Sequence, residues 1–348
     1  MPASPSSLLK VGIVGAGAIV RERHAPGLLA IEGVEIAAVA NHSRESAAAF
    51  CRDFCPKADI MEGWRDLVAR ADLDIIWIGT HPNLHREITL AALGAGKHVF
   101  CQARMARDLA EALEMLEAAQ AKPDLVTMLC PPPHGLYHDA YLRSFLHEKP
   151  LGTIRRVRVV SRNGAFLDSH AAPHWRQLRG KSGLNILTLG IHAEVLRRWF
   201  GDITAVQASS RIWTPVRGGA AVEIPDDLLV VADFACGILG TLDLSGADPG
   251  PPAESIEITG ERGVLRQDYL TGEITIRNHG ASETTVLSTA APLQSPWQVE
   301  RDFIRAVRNP EAPRPHPDFH DGVAYMGVVQ AVHESLQSGC KAPVRISG

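Results

Sequence analysis

Two glycines near the start of the chain have the spacing of a dinucleotide-binding turn. A predicted strand, the apolar run 9–14, breaks at Gly15-Ala16-Gly17 within the stretch VGIVGAGAIVR (11–21), and a helical pattern follows. Gly15 lets the backbone turn, and Gly17 lets it approach a diphosphate at the positive end of the helix. An ordinary strand-to-helix turn is the alternative, since a chain with 30 glycines contains such pairs by chance. The residues expected to contact a bound dinucleotide here are Gly15, Gly17, Ala18, Ile19 and Val20.

Val20 occupies the third glycine position of the G-x-G-x-x-G fingerprint, so we expect the helix to lie slightly further from the strand. The next strand-like run, 34–40, is followed by Asn41, Ser43 and Arg44. An NAD site usually has Asp or Glu at that point, to bind the ribose 2′-hydroxyl. The absence of such a carboxylate, with Arg44 nearby, favours NADP over NAD, although Arg44 is equally explained as a solvated residue of the first helical turn.

Polar residues also follow two further strand-like runs, 75–79 and 97–101. Ligands of a parallel sheet bind beyond the carboxyl ends of its strands, so these residues are predicted to complete the cofactor site. Pro82 predicts a turn, with the next helix beginning at His85. The predicted cofactor contacts are Thr80, His81, Asn83 and His85 after the first run, and Gln102 and Ala103 after the second.

Strand-like and helical segments alternate as far as residue 129, a pattern that predicts an α/β domain with a doubly wound parallel sheet. Three consecutive prolines at 131–133 end this pattern, so we place a domain boundary after residue 130. The predicted helices of the first domain cover 43–53, 85–95 and 108–121.

The second predicted domain, 131–348, combines helices with an antiparallel meander, and is therefore of the α+β class with a large open sheet. Its broad sheet face needs cover, which predicts a homodimer or homotetramer built on this sheet. Helices are expected at 184–200, 297–308 and 319–338. Strands are expected at 153–162, 203–213, 228–235, 237–245, 254–259, 263–268, 272–277 and 284–288.

Three motifs together resemble the Gfo/Idh/MocA family, the glucose-fructose oxidoreductase and inositol dehydrogenase group. They are the G-x-G turn, the T-H-P-N-x-H segment at 80–85, which follows a predicted strand, and A-L-G-A-G-K-H-V at 92–99. The resemblance implies an N-terminal Rossmann domain, followed by a domain with an open sheet that carries substrate contacts and the oligomer interface.

The chain departs from this family at two positions. Where most members have Glu-Lys-Pro, it has Gln102-Ala103-Arg104, and Ala103 can neither donate a proton nor polarise an oxygen. The family's D-x-G-x-H helix start appears with Thr188 in place of the aspartate, while His192 is retained. His192 is the predicted proton-transfer residue, with a buried structural histidine as the alternative. Lys181 is the candidate for a relocated lysine, although most loop lysines are simply solvated.

The family's Trp-Arg pair at the substrate pocket matches Trp175-Arg176. An indole packs on a sugar face, and a guanidinium fixes a hydroxyl or a carboxylate; an ordinary surface loop is the alternative. His134 and Thr188 are the other predicted substrate contacts. His134 and His138 lie four residues apart, but no third ligand follows nearby, so no metal site is predicted.

Bulk composition excludes several classes of protein. A chain of 348 residues exceeds what one core usually holds, and a net charge of −4 with scattered charges provides no basic face for nucleic acid or a membrane surface. The N-terminal sequence lacks a secretory pattern, so a cytoplasmic location is expected. The six cysteines include no C-x-x-C pair.

Two functions remain open on these grounds. The favoured one is an NAD(P)-dependent oxidoreductase acting on a hydroxyl or carbonyl of a sugar, cyclitol or related small molecule. The alternative, motivated by Ala103 and Thr188, is a nucleotide-binding enzyme without net redox turnover, such as a lyase or hydrolase that uses bound NAD, or a catalytically silent sensor or scaffold.

Overall fold

The computed structural model describes residues 8–289, 294 and 296–346. By its internal contacts the chain divides into two compact units. The first contains residues up to 106, 110–131 and 298–323, and the second contains 107–109, 132–297 and the remainder. The division after 131 lies close to the boundary expected from the prolines. The segment 298–323, which lies in the predicted second domain, packs with the first unit instead.

The first unit contains a six-stranded parallel sheet in the order β3-β2-β1-β4-β5-β6, which confirms the predicted doubly wound class. A π-helical segment, Val20–His24, runs directly into α1. The strands are β1 (Leu9–Val14), β2 (Val34–Ala40), β3 (Asp59–Met61), β4 (Ile75–Ile78), β5 (His98–Cys101) and β6 (Thr127–Leu129). The helices are α1 (Ala25–Leu29), α2 (Arg44–Phe54), α3 (Trp64–Val68), α4 (Pro82–Gly94) and α5 (Leu109–Gln120).

Aromatic side chains form the centre of this unit. Trp77 and Phe100 lie opposite each other on β4 and β5, and their rings stack with centroids 3.7 Å apart. Phe303, from the segment 298–323, packs edge-on against both rings. These apolar contacts explain why that late segment belongs to the first core.

Helix α4 begins at Pro82, whereas a turn as far as His85 was expected. Proline is well suited to the first helical position, because its missing N–H would have no partner there and its fixed φ is helical. The prediction treated Pro82 only as a helix breaker, which it is in helix interiors.

The second unit contains a nine-stranded sheet in the order β16-β15-β14-β13-β7-β12-β11-β8-β17. Strand β7 pairs parallel with β12, while the other strand pairs described in this sheet are antiparallel. The expected simple meander is therefore wrong in one respect: β7 lies between β12 and β13, which are consecutive in sequence. A short hairpin, β9 with β10, stands apart.

The strands of this unit are β7 (Ile154–Arg162), β8 (Ile203–Arg211), β9 (Val216–Arg217), β10 (Ala220–Ala221), β11 (Asp227–Phe234), β12 (Leu239–Ser245), β13 (Ala253–Gly260), β14 (Gly263–Asp268), β15 (Ile274–Asn278), β16 (Thr285–Leu287) and β17 (Ala342–Pro343). The later helices of the chain are α6 (Pro133–Glu148), α7 (Arg179–Ser182), α8 (Leu189–Phe200), α9 (Val299–Arg308) and α10 (Phe319–Ser338), and the division between units falls within α10.

Helix α8 is shorter than the predicted 184–200. Leu187 has a φ of 45°, in the left-handed region that ends regular helix, so the helix begins only after Thr188. Along β11 buried and exposed residues alternate, with Leu229 and Val231 on the exposed face. Across the described residues we find no helix with the length and apolar character needed to cross a bilayer.

Candidate functional site

The glycine turn after β1 has the geometry that only glycine supports. Gly15 has a φ of 87°, and a Cβ atom there would lie 2.7 Å from both the carbonyl carbon of Gly79 and the amide nitrogen of Thr80. Its N–H donates to the Ala40 carbonyl at 2.8 Å, which ties the turn to β2. Gly17 is exposed, and a Cβ atom there would meet no protein atom within 4 Å. The protein itself therefore leaves open the space beside Gly17 that a close-approaching ligand would need.

Val20 does not contribute to this surface. It is fully buried, and its Cγ2 would lie 2.4 Å from a Cβ atom placed on Gly79. The close approach of helix and sheet, usually provided by a glycine in the helix, is provided here by a glycine after β4. Val20 is thus a packing residue, which corrects its prediction as a cofactor contact, whereas Ala18 is exposed and Ile19 half-buried.

The residues after β2 have distinct roles. Asn41 accepts the Ala16 N–H through Oδ1 at 3.3 Å, and so holds the glycine turn. Ser43 is the N-cap of α2, and its hydroxyl accepts the Ser46 N–H. Arg44 is exposed and makes no hydrogen bond or ion pair with any described residue. Of these residues, Arg44 has the side chain most available to a ligand.

The segment after β4 mixes available and structural groups. Thr80 Oγ1 is buried and has no hydrogen-bond partner in the described part of the chain. Asn83 is half-buried in the first turn of α4, and His81 is its N-cap residue. An unsatisfied buried hydroxyl is costly, so Thr80 has hydrogen-bonding capacity that a ligand could use.

His85 is fully buried and braces two loops. Its Nδ1 faces the carbonyl oxygens of Arg104 and Met105 at 3.0 and 3.2 Å, and its Nε2 faces that of Thr80 at 3.0 Å. Burial lowers the pKa of this imidazole, against the opposing effect of those carbonyls. The ring has no surface left for a nucleotide, so the predicted direct contact is corrected to a positioning role.

Gln102 belongs to a buried polar cluster. Its Nε2 lies 2.5 Å from His24 Nε2, and His24 Nδ1 lies 2.5 Å from Glu300 Oε1. Burial lowers the pKa of His24, while the Glu300 carboxylate opposes this effect. The Gln102 side chain is thus engaged within the protein, whereas Ala103 is half-buried.

The second unit contains a cavity of about 580 Å³. Its walls include three of the predicted substrate residues, Trp175, Arg176 and Thr188. The complete lining is Ser161, Asn163, Ala165, Phe166, Ala172, Pro173, His174, Trp175, Arg176, Leu187, Thr188, Arg217, Ser245 and Gly246.

Trp175 and Arg176 start a short 3₁₀ turn, Trp175–Gln177, that is capped by His174. The guanidinium of Arg176 stacks over the Trp175 ring, 4.3 Å from its centroid. Burial lowers the pKa of Arg176 from its usual value. Arginine nevertheless remains protonated in proteins, so the cavity wall carries a partly desolvated positive charge.

A chain of polar contacts leads from the cavity lining to His192. Thr188 Oγ1 donates to Ser161 Oγ at 3.2 Å, and Ser161 Oγ donates to Glu254 Oε2 at 2.6 Å. The other carboxylate oxygen, Oε1, lies 3.2 Å from His192 Nε2, within ion-pair distance but not aligned for a hydrogen bond. His192 itself is 2% exposed and outside the cavity lining. Two hydroxyl groups and one carboxylate therefore connect the cavity lining to His192.

One predicted site residue, Lys181, is not brought to the cavity. Lys181 is exposed on α7 and absent from the described lining, so the structure gives no support to a relocated lysine. The side chain of His134, in the first turn of α6, lies outside the described part of the structure. The ring of His138 is bonded to Thr289 Oγ1 and to the Gly272 carbonyl, at 2.9 and 3.1 Å.

Sequence reasoning missed Ser161, Glu254 and Arg217. Ser161 and Glu254 are 93 residues apart and face each other only because β7 pairs with β13 in that register. The predicted strands 153–162 and 254–259 contain Ser161 and Glu254, but nothing in the sequence indicates that these two strands are neighbours.

Models of one protein family match most of this chain. Residues 9–129 match the family described as "Oxidoreductase family, NAD-binding Rossmann fold", and residues 140–266 match the "GFO/IDH/MocA C-terminal domain". An inositol 2-dehydrogenase from Gluconacetobacter diazotrophicus is 26% identical over 73% of this chain and 77% of its own length. A D-apiose dehydrogenase from Paraburkholderia graminis is 23% identical over 95% of this chain and 88% of its own.

A solved structure shares the fold. A levoglucosan dehydrogenase in complex with NADH superposes with a TM-score of 0.87, at 22% identity, over 97% of this chain and 99% of that one.

Proposed function

Since this chain belongs to the Gfo/Idh/MocA family of oxidoreductases, we propose that it transfers hydride between a nicotinamide dinucleotide and a hydroxyl or carbonyl of a sugar, cyclitol or related small molecule. The observation that carries the proposal is the cavity in the second unit, where Trp175, Arg176 and Thr188 come together. Its volume of about 580 Å³ is in the usual range for small-molecule sites.

The first unit fits a dinucleotide. The open space beside Gly17, the positive end of the helix that follows it and the unpartnered Thr80 hydroxyl are suited to a diphosphate and its ribose. When bound, the cofactor accepts or returns the hydride. The residues proposed to hold it are Gly15, Gly17, Ala18, Ile19, Asn41, Ser43, Arg44, Thr80, His81, Asn83 and Ala103.

The polar chain at the cavity supplies a route for the proton of a substrate hydroxyl. Thr188 and Ser161 both donate toward Glu254, so a proton received by Thr188 can be passed along by successive donation to the Glu254 and His192 pair. We propose that this pair holds the proton when an alcohol is oxidised and returns it when a carbonyl is reduced. In this scheme Thr188 receives the proton in place of the family aspartate.

The proposed preference for NADP rests on Arg44. Its exposed guanidinium follows β2, and the strand end itself, at Asn41, has no carboxylate to bind a ribose 2′-hydroxyl. Arg44→Ala is expected to weaken NADPH binding by on the order of 10- to 100-fold and to leave NADH binding almost unchanged. Equal losses for the two nucleotides would contradict a 2′-phosphate contact. Arg52→Ala, an exposed arginine on the same helix, is the control.

Self-association and location are also proposals. Leu229 and Val231 are 53% and 42% exposed on the outer face of β11, as expected of a sheet face that another copy covers. A homodimer or homotetramer through this sheet is therefore proposed, in a cytoplasmic protein.

The alternative without net redox turnover receives less support, because the relatives compared above are named dehydrogenases. The test is a titration of the pure protein with NADH and NADPH, followed by a screen of polyols and sugar acids for a change in nicotinamide absorbance. A nucleotide present at a concentration of 100 times its Kd would stabilise the folded protein by about 2.7 kcal/mol. Absence of both a thermal shift and turnover would reject the proposal.

A further inference from the structure

The lining of the cavity has an uneven charge. Among the described residues that form it there are two arginines, Arg176 and Arg217, and no aspartate or glutamate. A cavity for a neutral polyol has no need of uncompensated positive charge, whereas one for an anion does.

The two arginines differ in what surrounds them. Arg217 is 3% exposed, and its guanidinium is satisfied by the protein: it donates to Gln177 Oε1 at 2.6 Å, the Asp168 carbonyl at 3.0 Å and the Ala165 carbonyl at 3.4 Å. It therefore acts as a structural tie of the cavity wall.

Arg176 has no such acceptors. Over the described residues, its guanidinium forms no hydrogen bond and no ion pair, and it stacks over the Trp175 ring. That stack fixes the plane of the guanidinium and leaves its N–H edge without an acceptor. A partly desolvated charge without a partner costs free energy, and a bound carboxylate would reduce that cost through two parallel N–H···O bonds.

We propose that the substrate of this cavity is a hydroxylated carboxylic acid of sugar size, whose carboxylate pairs with Arg176 while its hydroxyls meet Thr188, Ser161 and Asn163. The proposal rests on the function proposed above and names the substrate class of that same site. A single unpaired guanidinium matches the single negative charge of a carboxylate better than the two charges of a phosphate monoester.

The test compares acids with their neutral counterparts on the NADH-loaded protein by calorimetry. The probes are D-glucuronate against D-glucose, D-galacturonate against D-galactose and D-gluconate against D-glucitol, with D-glucose 6-phosphate as a separate arm. We expect at least one acid to bind at least about 10-fold more tightly than its neutral partner. Added salt should weaken the binding of the acid and not that of the neutral sugar.

Arg176→Gln should raise the Kd of that acid by on the order of 10- to 100-fold and change the Kd of the neutral sugar much less. Arg176→Lys keeps the charge without the bidentate fork, so its Kd for the acid should lie between those of the unaltered protein and Arg176→Gln. The lysine variant also provides the test if Arg176→Gln does not fold. Arg179→Gln, an exposed arginine outside the cavity, is the control and should bind the acid as the unaltered protein does.

Several results would overturn the proposal while leaving the proposed function intact, provided that the protein binds NADH. They are equal affinities for the acids and their neutral counterparts, no binding of any acid, tighter binding of the sugar phosphate than of the acids, or unchanged acid binding in both Arg176 variants. Acid binding that depends on Arg176, without turnover with any nucleotide, would support the anion site and count against the oxidoreductase function.

Discussion

The two glycines of the β1 turn should respond in opposite ways to the same substitution. In Gly15→Ala the new Cβ would lie 2.7 Å from backbone atoms of Gly79 and Thr80, in a backbone conformation with a φ of 87°. The left-handed conformation costs about 1 to 2 kcal/mol and the overlap about 1 to 3 kcal/mol, so the unfolding free energy should fall by about 2 to 5 kcal/mol.

In Gly17→Ala the added methyl group meets no protein atom within 4 Å. The unfolding free energy should therefore change by no more than about 1 kcal/mol, in either direction. The same methyl would occupy the space proposed for the diphosphate, so NADH and NADPH should bind at least about 10-fold more weakly.

Urea unfolding, with hydrogen exchange of peptides covering β1 and β4, measures the first effect, and fluorescence titration of nucleotide measures the second. A Gly15→Ala protein as stable as the unaltered chain would refute the turn geometry. A Gly17→Ala protein that is folded and binds nucleotide with unchanged Kd would refute the proposed diphosphate path.

Three further predictions follow from the site and its surroundings. Glu254→Gln removes the carboxylate between Ser161 and His192, so kcat should fall by on the order of 10²- to 10⁴-fold, with a small change in KM and an altered pH profile. Glu257→Gln on the same strand is the control, and equal losses of kcat in both variants would contradict proton transfer through Glu254. Burial lowers the folded-state pKa of His24 and His85, so below pH 6.5 the unfolded state binds more protons than the folded state. The unfolding free energy should therefore decrease as the pH is lowered, by up to about 1.4 kcal/mol per pH unit for each histidine, until the folded-state pKa is reached. His85→Gln should reduce this slope in urea titrations at several pH values, and an unchanged slope would argue against the assignment. The double variant Leu229→Asp with Val231→Lys places charges on the exposed face of β11 and should yield monomers in light scattering, whereas an unchanged mass would place any self-association elsewhere.

Local patterns in the sequence were sufficient for most of the first unit. Strands β1 and β2 have the predicted bounds, because their apolar runs end at strong turn residues. The pair Trp175-Arg176, predicted to contact substrate, lies in the cavity wall, where a short local turn positions both residues.

Features that depend on distant pairing were not predictable. The contact of Ser161 with Glu254 requires β7 to lie beside β13, and the His24 to Glu300 contact joins residues 276 positions apart. Val20 shows the same limit at short range. Its departure from the glycine fingerprint predicted a displaced helix, but Gly79, on another strand end, makes room for it.

The central claim is that hydride moves between a nicotinamide and a hydroxylated carbon while the Glu254 and His192 pair takes the proton. Incubation of the protein with C4-deuterated NADH or NADPH and the oxidised forms of the sugars and sugar acids above tests it most directly, with mass spectrometry of the products. The account predicts one deuterium on the carbinol carbon of a reduced product, formed much more slowly by Glu254→Gln. Nucleotide binding without deuterium in any product would contradict it.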